Sequence, residues 1–510
     1  MKRKSKAKTA PAEPLHERIR NYFGFRKFRP GQAEAVESAL GGRDTLVVMP
    51  TGSGKSLCFQ LTALARDGIT IVVSPLISLM KDQVDNLIDN GVWAVGMNST
   101  LTPQQQAAAE KDIRLGRASI VYVTPERLAD PKFRELLKTT KVEQFVVDEA
   151  HCVSQWGHDF RPDYLVLSEA IDDLGRPPVM ALTATATPDV IEDILAQLRI
   201  PDAEVVHTGF YRANLELNVI HVRGQSEKRS LLLDQIRQTE GTGIIYSATT
   251  KAVDELTAFL KSSGLEAGAY HGRLSASRRA EAQDRFMADE FKALVATNAF
   301  GLGIDKPDIR FVTHYHLPGT TEAFYQEFGR AGRDGDRAFS SLLYDPEDRK
   351  LLRFFQTKSY PSGDDLNNAH HTLKLLHKRP QAPTLAEIQA ISPLSAGRMK
   401  VCLSLFTARG IVRYETGGHY RLLCPNMTRE DLARTGQSYR DRQDRDLRKH
   451  QEIVEYAEGR GCRWQMLLGY FGGERLPDDR CGHCDHCKRW ERQGGKRVAA
   501  VLTERTSAKL

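Results

Sequence analysis

The sequence predicts an α/β protein with two tandem lobes containing parallel sheets, then a small α+β insert and a helical, cysteine-rich module. Three observations support this prediction. Short apolar runs recur between residues 45 and 298, and polar or glycine-rich segments follow them, as at the ligand-binding edge of a parallel sheet. Residues 384–423 combine helical periodicity with a hairpin signal. Four cysteines lie between residues 462 and 487.

Length and composition indicate a multidomain globular protein. The 510 residues exceed what one hydrophobic core supports, and 41% of them are hydrophobic. The basic N-terminus, Met1–Lys8, lacks an apolar stretch, which favours a disordered tail over a secretion signal. No run of about 18 apolar residues indicates a membrane span. The net charge of +7 permits a polyanionic partner without requiring one.

The first motif is a phosphate-binding loop. Residues 49–56, Met-Pro-Thr-Gly-Ser-Gly-Lys-Ser, follow a predicted strand over Thr45–Val48 and precede a predicted helix over Leu57–Ala65. In such loops backbone N–H groups surround the phosphates, the lysine reaches the outer phosphates and the last hydroxyl coordinates Mg²⁺. Methionine replaces the usual first glycine. The predicted ATP-binding residues of the loop are Thr51, Gly52, Ser53, Gly54, Lys55 and Ser56, with Ser56 also a Mg²⁺ ligand.

An acidic motif ends another predicted strand, Gln144–Val147. It reads Asp148-Glu149-Ala150-His151. Asp148 is predicted to hold Mg²⁺, directly or through water, and Glu149 to orient and deprotonate the attacking water. The two motifs occur at strand ends and in the order that this chemistry needs. Together they predict nucleoside triphosphate hydrolysis.

Further motifs follow predicted strands in both lobes. In the first lobe, Ser78 and Lys81 are predicted to contact a nucleic-acid backbone, because hydroxyl and basic groups suit phosphate. In the second lobe, Arg330 and Arg333 are predicted on a helical segment as fingers for transition-state charge. A solvated basic helix face is the alternative for that pair alone. The strands and following segments are Ile69–Val73 with Ser74–Gln83, Ile120–Val123 with Thr124–Leu128, Met180–Leu182 with Thr183–Thr187, Gly243–Ser247, Ala269–Gly272, and Ala293–Asn298 with Phe300–Asp305. The segment that carries the two arginines is Tyr325–Gly335.

With these motifs the chain resembles superfamily 2 helicases, and among them the RecQ family. Phe23–Gln32 is similar to the family's adenine-reading motif. The resemblance implies that Phe25 and Arg29 sandwich the base while Gln32 bonds to its edge, and that Asp305 belongs to the nucleotide site. It also implies two RecA-like lobes with ATP between them. The implied catalytic set is Lys55, Asp148, Glu149, His151, Gln326, Arg330 and Arg333.

A second specific similarity is the segment after the acidic motif. Ser154–Tyr164 resembles the aromatic-rich loop with which RecQ helicases sense single-stranded DNA. The resemblance implies that Trp156 and Phe160 stack on bases and that Arg161 contacts phosphate or nucleotide. A place in the hydrophobic core is the alternative for either ring alone.

The terminal cysteines predict a structural zinc site. Cys481, Cys484 and Cys487 form two CxxC steps. Cys462 precedes them in the sequence, and a predicted helix over Trp464–Phe471 lies between Cys462 and Cys481. Four thiolates complete a tetrahedral Zn²⁺ site without an open position, so histidines 483 and 486 are the less favoured ligands. The arrangement resembles the RecQ zinc module, with a charged helix predicted over Tyr439–Glu458.

The chain departs from the usual RecQ order. We expect neither a winged helix nor an HRDC domain after the zinc module. Instead, helices predicted over Thr384–Ile391 and Leu394–Arg409 and a hairpin over 411–423 outline a winged helix before it. His419 and Tyr420, near the predicted hairpin tip, are candidate DNA contacts. A small packing insert without a DNA role is an equal alternative.

The predicted organisation and function follow from these parts. The resemblance to the RecQ family, and not the composition, implies a 3′→5′ DNA helicase acting in recombination or repair, with ATP, Mg²⁺ and Zn²⁺ as cofactors. The alternatives are an RNA helicase and a nucleic-acid-binding or annealing module with a weak motor. Expected partners are single-stranded and forked or junction DNA and single-strand-binding protein, for a monomer in the bacterial cytoplasm, associated with the nucleoid and not with a membrane. The predicted parts are a disordered basic tail over 1–15, lobe 1 over 16–207, lobe 2 over 208–346, the insert over 347–430, the zinc module over 431–490 and a tail over 491–510.

Overall fold

The fold is seen in a computed structural model of the chain. The structure describes residues 17, 21–154, 156–157, 159, 161–301, 306–351, 361–415, 418–435 and 437–494, so both predicted tails lie largely outside the described residues. Two compact units are present. The first comprises residues 1–344 and 456–510, and the second comprises residues 345–455.

The first lobe contains a parallel sheet whose central strands are fully buried. Parallel strands covered on both faces consist of nearly continuous apolar residues, as β1 and β2 do. The sheet order is β3-β4-β2-β5-β6-β1-β7. Its strands are β1 Thr45–Val48, β2 Ile69–Val73, β3 Ala94–Met97, β4 Ile120–Val123, β5 Val142–Val147, β6 Val179–Thr183 and β7 Glu204–His207.

The second lobe repeats this architecture. Its sheet has the order β10-β11-β9-β12-β13-β8, and every strand pair in it is parallel. The strands are β8 Leu215–His221, β9 Thr242–Tyr246, β10 Ala267–Tyr270, β11 Ala293–Ala296, β12 Ile309–His314 and β13 Ala338–Tyr344. The predicted α/β class with two parallel-sheet lobes is confirmed.

Helices cover the sheets of both lobes. In the first lobe they are Gln32–Leu40, Lys55–Ala65, Ile77–Asp89, Pro103–Arg114, Pro125–Leu128, Pro131–Lys138, Leu167–Asp173 and Pro188–Gln197, with 3₁₀ turns at Ala150–Val153 and Pro162–Val166. In the second lobe they are Gly224–Gln238, Thr250–Ser262, Ala276–Met287 and Thr321–Phe328. No helix in the described part of the chain is both long and apolar enough to cross a bilayer.

The second unit is a small helical fold with one hairpin. Its helices are Gly363–Leu376, Leu385–Ile391, Ala396–Ala408, Arg429–Thr435 and the first part of Gln437–Glu458. Strands β14 Val412–Glu415 and β15 His419–Leu422 pair antiparallel, with Tyr414 opposite Tyr420. The two helices and the hairpin predicted here are present, and helix Gly363–Leu376, which was not predicted, packs into their core through Leu366 and Leu373.

The cysteine-rich module packs on the edge strand β8 of the second lobe. It contains helices Arg463–Tyr470 and Asp485–Arg492 and a short turn at Pro477–Asp479. Indole Nε1 of Trp464 donates a hydrogen bond to the Leu215 carbonyl (2.9 Å). His483 Nε2 lies 3.1 Å from the same carbonyl oxygen. The module therefore covers a sheet edge that would otherwise expose unpaired backbone groups.

Candidate nucleotide and nucleic-acid site

The phosphate loop has the backbone shape that its sequence predicts. Gly52 and Gly54 both have φ of 80°, in the left-handed region that favours glycine. The loop ends at helix Lys55–Ala65, whose N-terminus favours anions. The buried hydroxyl of Ser53 has no hydrogen-bond partner among the described residues. A loop with a left-handed backbone, a helix N-terminus and a spare buried donor fits a polyphosphate.

Lys55 and the acidic pair share one half-buried site. Lys55 Nζ donates to the Met49 and Pro50 carbonyls at 3.1 and 3.4 Å. Burial lowers the pKa of Lys55, an effect that the carboxylates of Glu149 and Asp148 partly offset. Burial, and next the charge of Glu149, raises the pKa of Asp148 to about 7. Two half-buried carboxylates beside one lysine fit Mg²⁺, which Asp148 and Ser56 would hold and which would supply charge neutralisation at the phosphates.

His151 connects the acidic motif to the neighbouring strand. Glu149 has φ of 49°, an uncommon backbone conformation for a residue other than glycine, so the chain turns sharply after β5. Nδ1 of the buried His151 lies 3.1 Å from Thr183 Oγ1 and 3.4 Å from Glu149 Oε2. A displacement of the Glu149 side chain can therefore be transmitted to Thr183, at the end of β6, through the His151 ring.

Two of the predicted adenine-binding residues, Arg29 and Gln32, bond to the phosphate loop. The Phe25 ring is 52% exposed. Arg29 donates through Nη1 to the Gly52 carbonyl. Gln32 is buried, its Nε2 donates to the carbonyls of Ser53 and Gly54 at 3.0 Å, and its Oε1 accepts from the Arg29 backbone N–H. In this arrangement Gln32 supports the loop backbone, while Phe25 presents an open ring.

The two arginines predicted as fingers, Arg330 and Arg333, lie beyond a helix and not on one. Helix Thr321–Phe328 ends before them, and Gly332 has φ of 58°, which a continuing helix does not allow. The prediction of a helical segment here was wrong, because Gly332 diverts the backbone. A Cβ added at Gly52 would lie 2.8 Å from Arg333 Cγ, and the positive charge of Arg333 helps to lower the pKa of Lys55. Arg333 thus lies over the phosphate loop of the other lobe.

Arg330 lies elsewhere in the cleft. Its side chain is buried, contacts Tyr246 by a hydrogen bond and lines a cavity of about 510 Å³ between the two lobes. Gln326 lines the same cavity from the second lobe, and Asp159 and Arg161 line it from the first. The cavity joins the arginine segment to the loop after the acidic motif.

Two residues that the sequence did not single out hold the arginine segment in place. Arg212 donates to the carbonyls of Gly329, Ala331 and Gly332 at 2.7, 2.9 and 2.6 Å. Asn214 Nδ2 donates to the Gly332 carbonyl at 2.8 Å. Burial lowers the pKa of Arg212 to about 10, so it remains cationic at neutral pH. The available signal was an Arg-x-Asn triplet directly before the second set of motifs.

The aromatic-rich loop is tied to the acidic motif at one end and presents an open ring. Trp156 is 45% exposed, and its backbone N–H donates to Ser154 Oγ (3.1 Å). Gly157 packs so closely that an added Cβ would lie 2.2 Å from the His151 carbonyl oxygen. Arg161 pairs with Asp159 and donates to the Pro75 carbonyl at 3.3 Å, which connects the loop to the segment after β2.

The remaining predicted contacts have less definite surroundings. Lys81 is exposed on helix Ile77–Asp89. His419 is the first residue of β15 instead of a tip residue, 3.1 Å from Gln381 Nε2, and the Tyr420 ring lies 5.0 Å from that of Tyr414. The side chain of Ser78, and residues Phe160 and Asp305, lie outside the described residues.

The four predicted cysteines meet as a buried cluster. All four Sγ atoms lie within 4.8 Å of one another, with separations of 3.9 Å for Cys481 to Cys487 and 4.0 Å for Cys462 to Cys484. A tetrahedral Zn²⁺ site with bonds of about 2.3 Å has edges of about 3.8 Å, so the cluster fits zinc. His483 places both ring nitrogens near backbone carbonyls, at 2.8 and 3.1 Å, and is not part of the cluster.

Family models match the sequence in the order of these parts. A DEAD/DEAH box helicase model matches residues 29–194, a helicase conserved C-terminal domain model matches residues 227–335, and a RecQ zinc-binding model matches residues 426–488. The matches cover the phosphate loop and acidic motif, the second lobe with its arginine segment, and the cysteine cluster.

Curated relatives align along most of the chain. The probable ATP-dependent DNA helicase RecS of Bacillus subtilis is 35% identical over 502 residues, 97% of each protein. The ATP-dependent DNA helicase RecQ of the same organism is 37% identical over 473 residues, which are 92% of this chain and 66% of that relative. The chain therefore spans nearly all of RecS but only about two thirds of RecQ.

A solved structure shows the same fold in the lobes. Dbp5 from S. cerevisiae, bound to RNA and ADP BeF3, has a TM-score of 0.54 and 22% identity, covering 68% of this chain and 91% of that one. At this identity the similarity concerns the fold and not the nucleic acid that is bound.

Proposed function

The chain belongs to the RecQ family of ATP-dependent DNA helicases, and from that premise we propose that it translocates 3′→5′ on single-stranded DNA and separates duplexes in recombination or repair. The family membership that the sequence resemblance predicted is confirmed by a relative 35% identical along 97% of its length. ATP, Mg²⁺ and Zn²⁺ are its cofactors. The one observation that supports a working motor best is Arg333 of the second lobe over Gly52 of the first.

We propose the following division of roles. Lys55 meets the outer phosphates, Asp148 and Ser56 hold Mg²⁺, and Glu149 removes a proton from the attacking water. Arg333 is the finger, because it reaches the phosphate loop. Arg330 instead links the cleft to Tyr246. His151 couples the catalytic carboxylates to the DNA-binding surface, and Gln326 couples the cleft between the lobes to the same surface.

Single-stranded DNA is proposed to contact the aromatic-rich loop and the basic side chain of Lys81. The exposed Trp156 ring offers a face on which a base can stack. Because Gly157 packs on the His151 carbonyl, a base that moves Trp156 also moves the acidic motif. This contact explains how DNA would stimulate hydrolysis.

The test compares single-residue variants in two assays. Glu149→Gln should bind ATP without hydrolysing it, and Lys55→Ala should lose hydrolysis while keeping DNA affinity, because the proposed DNA contacts do not include the phosphate loop. ATPase stimulation is measured with single-stranded DNA and with RNA of the same sequence, and strand displacement with forked DNA. Wild-type turnover in Lys55→Ala would refute the assignment, and preferential stimulation by RNA would favour the RNA helicase alternative.

Dbp5, bound to RNA, supports the RNA alternative only at the level of fold, whereas the relatives along most of the chain are DNA helicases. We further propose a monomer in the bacterial cytoplasm, associated with the nucleoid, that interacts with single-strand-binding protein. Light scattering with and without DNA, and co-purification with single-strand-binding protein, check these two finer expectations.

A further inference from the structure

A basic cavity of about 630 Å³ lies between the cysteine-rich module and the end of strand β8. It shares no lining residue with the cleft between the lobes. We refer to it as the zinc-module cavity. Its lining residues are His221, Glu458, Gly459, Arg460, Arg463, Arg480, His486, Arg489, Trp490 and Gln493.

The charges of this cavity are strongly unbalanced. Arg463 is neutralised, since its Nε and Nη2 donate to Asp485 at 2.9 and 3.0 Å. Arg460 and Arg489 are exposed and have no acidic partner among the described residues. Glu458 is the carboxylate of the lining, and it accepts a hydrogen bond from Tyr344 (2.7 Å). The surface therefore presents guanidinium groups without a neutralising carboxylate in the part of the chain that the structure describes.

An aromatic ring lies beside these guanidiniums. Trp490 is 44% exposed, on the same helix as Arg489. The guanidinium carbon of Arg480 lies 4.1 Å from the centre of its ring, so the two side chains are in cation–π contact. An exposed indole next to arginines offers a stacking face for a nucleobase of any identity.

A second opening of about 550 Å³ shares Arg460 and Arg480 with this cavity. It is also lined by Arg475 and by the carboxylates of Asp478 and Asp479, and Arg475 pairs with Asp479 at 3.3 Å. The arginines of the two openings that have no carboxylate partner among the described residues are therefore Arg460, Arg480 and Arg489. Several separate guanidiniums suit an extended polyanion better than a single small anion, because successive phosphates can each bind a different guanidinium.

We propose that the zinc-module cavity binds the phosphodiester backbone of a nucleic acid, with a base stacked on Trp490, as a contact separate from the motor cleft. The inference rests on the proposed helicase function and extends it. A duplex being opened has a second strand that does not pass through the motor. The zinc-module cavity gives that strand, or the adjacent duplex, a place to bind.

The experiment compares two arginines on one helix. Arg489 lines the cavity, and Arg492, one turn further along helix Asp485–Arg492, does not. Binding of the full zinc-loaded chain to forked DNA and to single-stranded DNA is measured by fluorescence anisotropy at several salt concentrations. For Arg489→Ala we expect about 5-fold weaker binding and a salt slope smaller by about 0.7–0.9, the value for one phosphate contact. Arg492→Ala should match the parent protein.

Companion variants separate stacking and small-anion binding from this contact. Trp490→Ala should weaken DNA binding and Trp490→Phe should restore much of it, because the smaller ring still stacks. Inorganic phosphate is titrated into the parent and Arg489→Ala. If Arg489→Ala weakens phosphate binding but leaves DNA binding unchanged, the cavity is a small-anion site and the proposal fails. Equal DNA binding by Arg489→Ala and Arg492→Ala overturns it as well.

Zinc content and DNA-stimulated ATPase activity are measured for every variant. The proposal expects normal zinc and a normal maximal ATPase rate at saturating single-stranded DNA in Arg489→Ala. A lost maximal rate would mean that Arg489 acts through the motor, which overturns a separate contact. Should Arg489→Ala fold poorly, Arg460→Ala on the facing segment provides the same comparison. Absence of DNA-stimulated ATPase in the parent chain would contradict the helicase function itself, whatever the cavity binds.

Discussion

At the scale of single residues, the nucleotide site depends on side chains whose partners lie far away in the sequence. The phosphate loop, the acidic pair and the cysteines could be predicted, because each is a short local motif with a fixed spacing. Arg212 and Asn214 could not, since they act by bonding backbone carbonyls 117 to 120 residues away. The Arg-x-Asn triplet that they form is the only local signal, and it does not indicate which carbonyls the two side chains contact.

The position of Arg333 over the phosphate loop leads to the first prediction. Arg333→Ala should lower kcat for ATP hydrolysis on the order of 10³-fold, because an arginine finger stabilises transition-state charge. Arg337→Ala, which removes an exposed arginine paired with Glu216, is the matched control. Steady-state ATPase assays with saturating DNA measure the effect. Equal, small losses in Arg333→Ala and Arg330→Ala would contradict the finger and make the segment a structural feature.

Gly157 leads to a second prediction at this scale. A Cβ there would lie 2.2 Å from the His151 carbonyl oxygen, so Gly157→Ala must displace either the aromatic-rich loop or the acidic motif. We expect basal ATPase to persist and its stimulation by single-stranded DNA to fall about 10-fold or more, as one base contact becomes misplaced. Gly363→Ala, where an added Cβ meets nothing within 4 Å, is the control. Full stimulation in Gly157→Ala would argue against coupling through this glycine.

At the scale of elements, the strands followed by ligand-binding segments were predicted best. β1, β2 and β4 have the predicted bounds. The edge strands β3, β7 and β8 were not predicted; no motif follows them, and in β8 the polar Glu216, Asn218 and His221 interrupt the apolar pattern. The inner strands β12 and β13 of the second sheet were not predicted either. The helix predicted for the finger arginines was wrong because tertiary contacts and Gly332 decide the backbone there. Domain bounds remain predictions.

The packing of the cysteine-rich module suggests why a structural metal matters for catalysis. Phe471 stacks on Phe210 (4.5 Å between ring centres) and contacts Tyr325 (5.1 Å), while Trp464 contacts Phe328 (5.9 Å). Tyr325 and Phe328 belong to the helix that immediately precedes the finger arginines. The module therefore packs directly against helix Thr321–Phe328.

From this packing we predict that removing zinc lowers ATPase activity as well as stability. Chelation, or Cys484→Ser, should unfold the module, because closed zinc sites contribute folding energy directly. Trp464→Ala should retain zinc but destabilise the protein by about 3–5 kcal/mol and lower kcat, because a cavity opens beneath the helix. Thermal unfolding, metal analysis and ATPase assays are the measurements. Full ATPase activity in zinc-free protein would show that the module and the finger helix are independent.

At the scale of the whole molecule, the chain combines a motor unit with a separate insert. The insert's core contains residues from helix Gly363–Leu376 as well as from the hairpin. Deleting residues 381–424 would therefore expose apolar side chains such as Leu366 and Leu373. Point variants on its surface test its role more cleanly than deletion. Arg398 is unsuitable, since it pairs with Asp365.

We predict that the insert helps to open forked DNA. Lys400 and Arg413 are exposed, and replacing both by alanine should reduce unwinding of a forked duplex while leaving ATPase stimulation by single strands intact. The affinity should also depend less on salt, with a slope smaller by about 1.8 for two phosphate contacts. Lys374→Ala combined with Lys378→Ala removes the same charge from exposed positions of the same unit. If both double variants unwind equally well, the insert serves packing alone, as the alternative interpretation held.

The uncovered edge of strand β8 also affects how the protein folds during its synthesis. The groups that cover its edge, Trp464 and His483, are 249 and 268 residues further along the chain than Leu215. At synthesis rates of about 5–20 residues per second, β8 remains uncovered for roughly 10–50 s after it leaves the ribosome. An open strand edge invites pairing with other chains. Cellular zinc supply at the end of translation, and chaperones during that interval, would therefore set the yield of active protein.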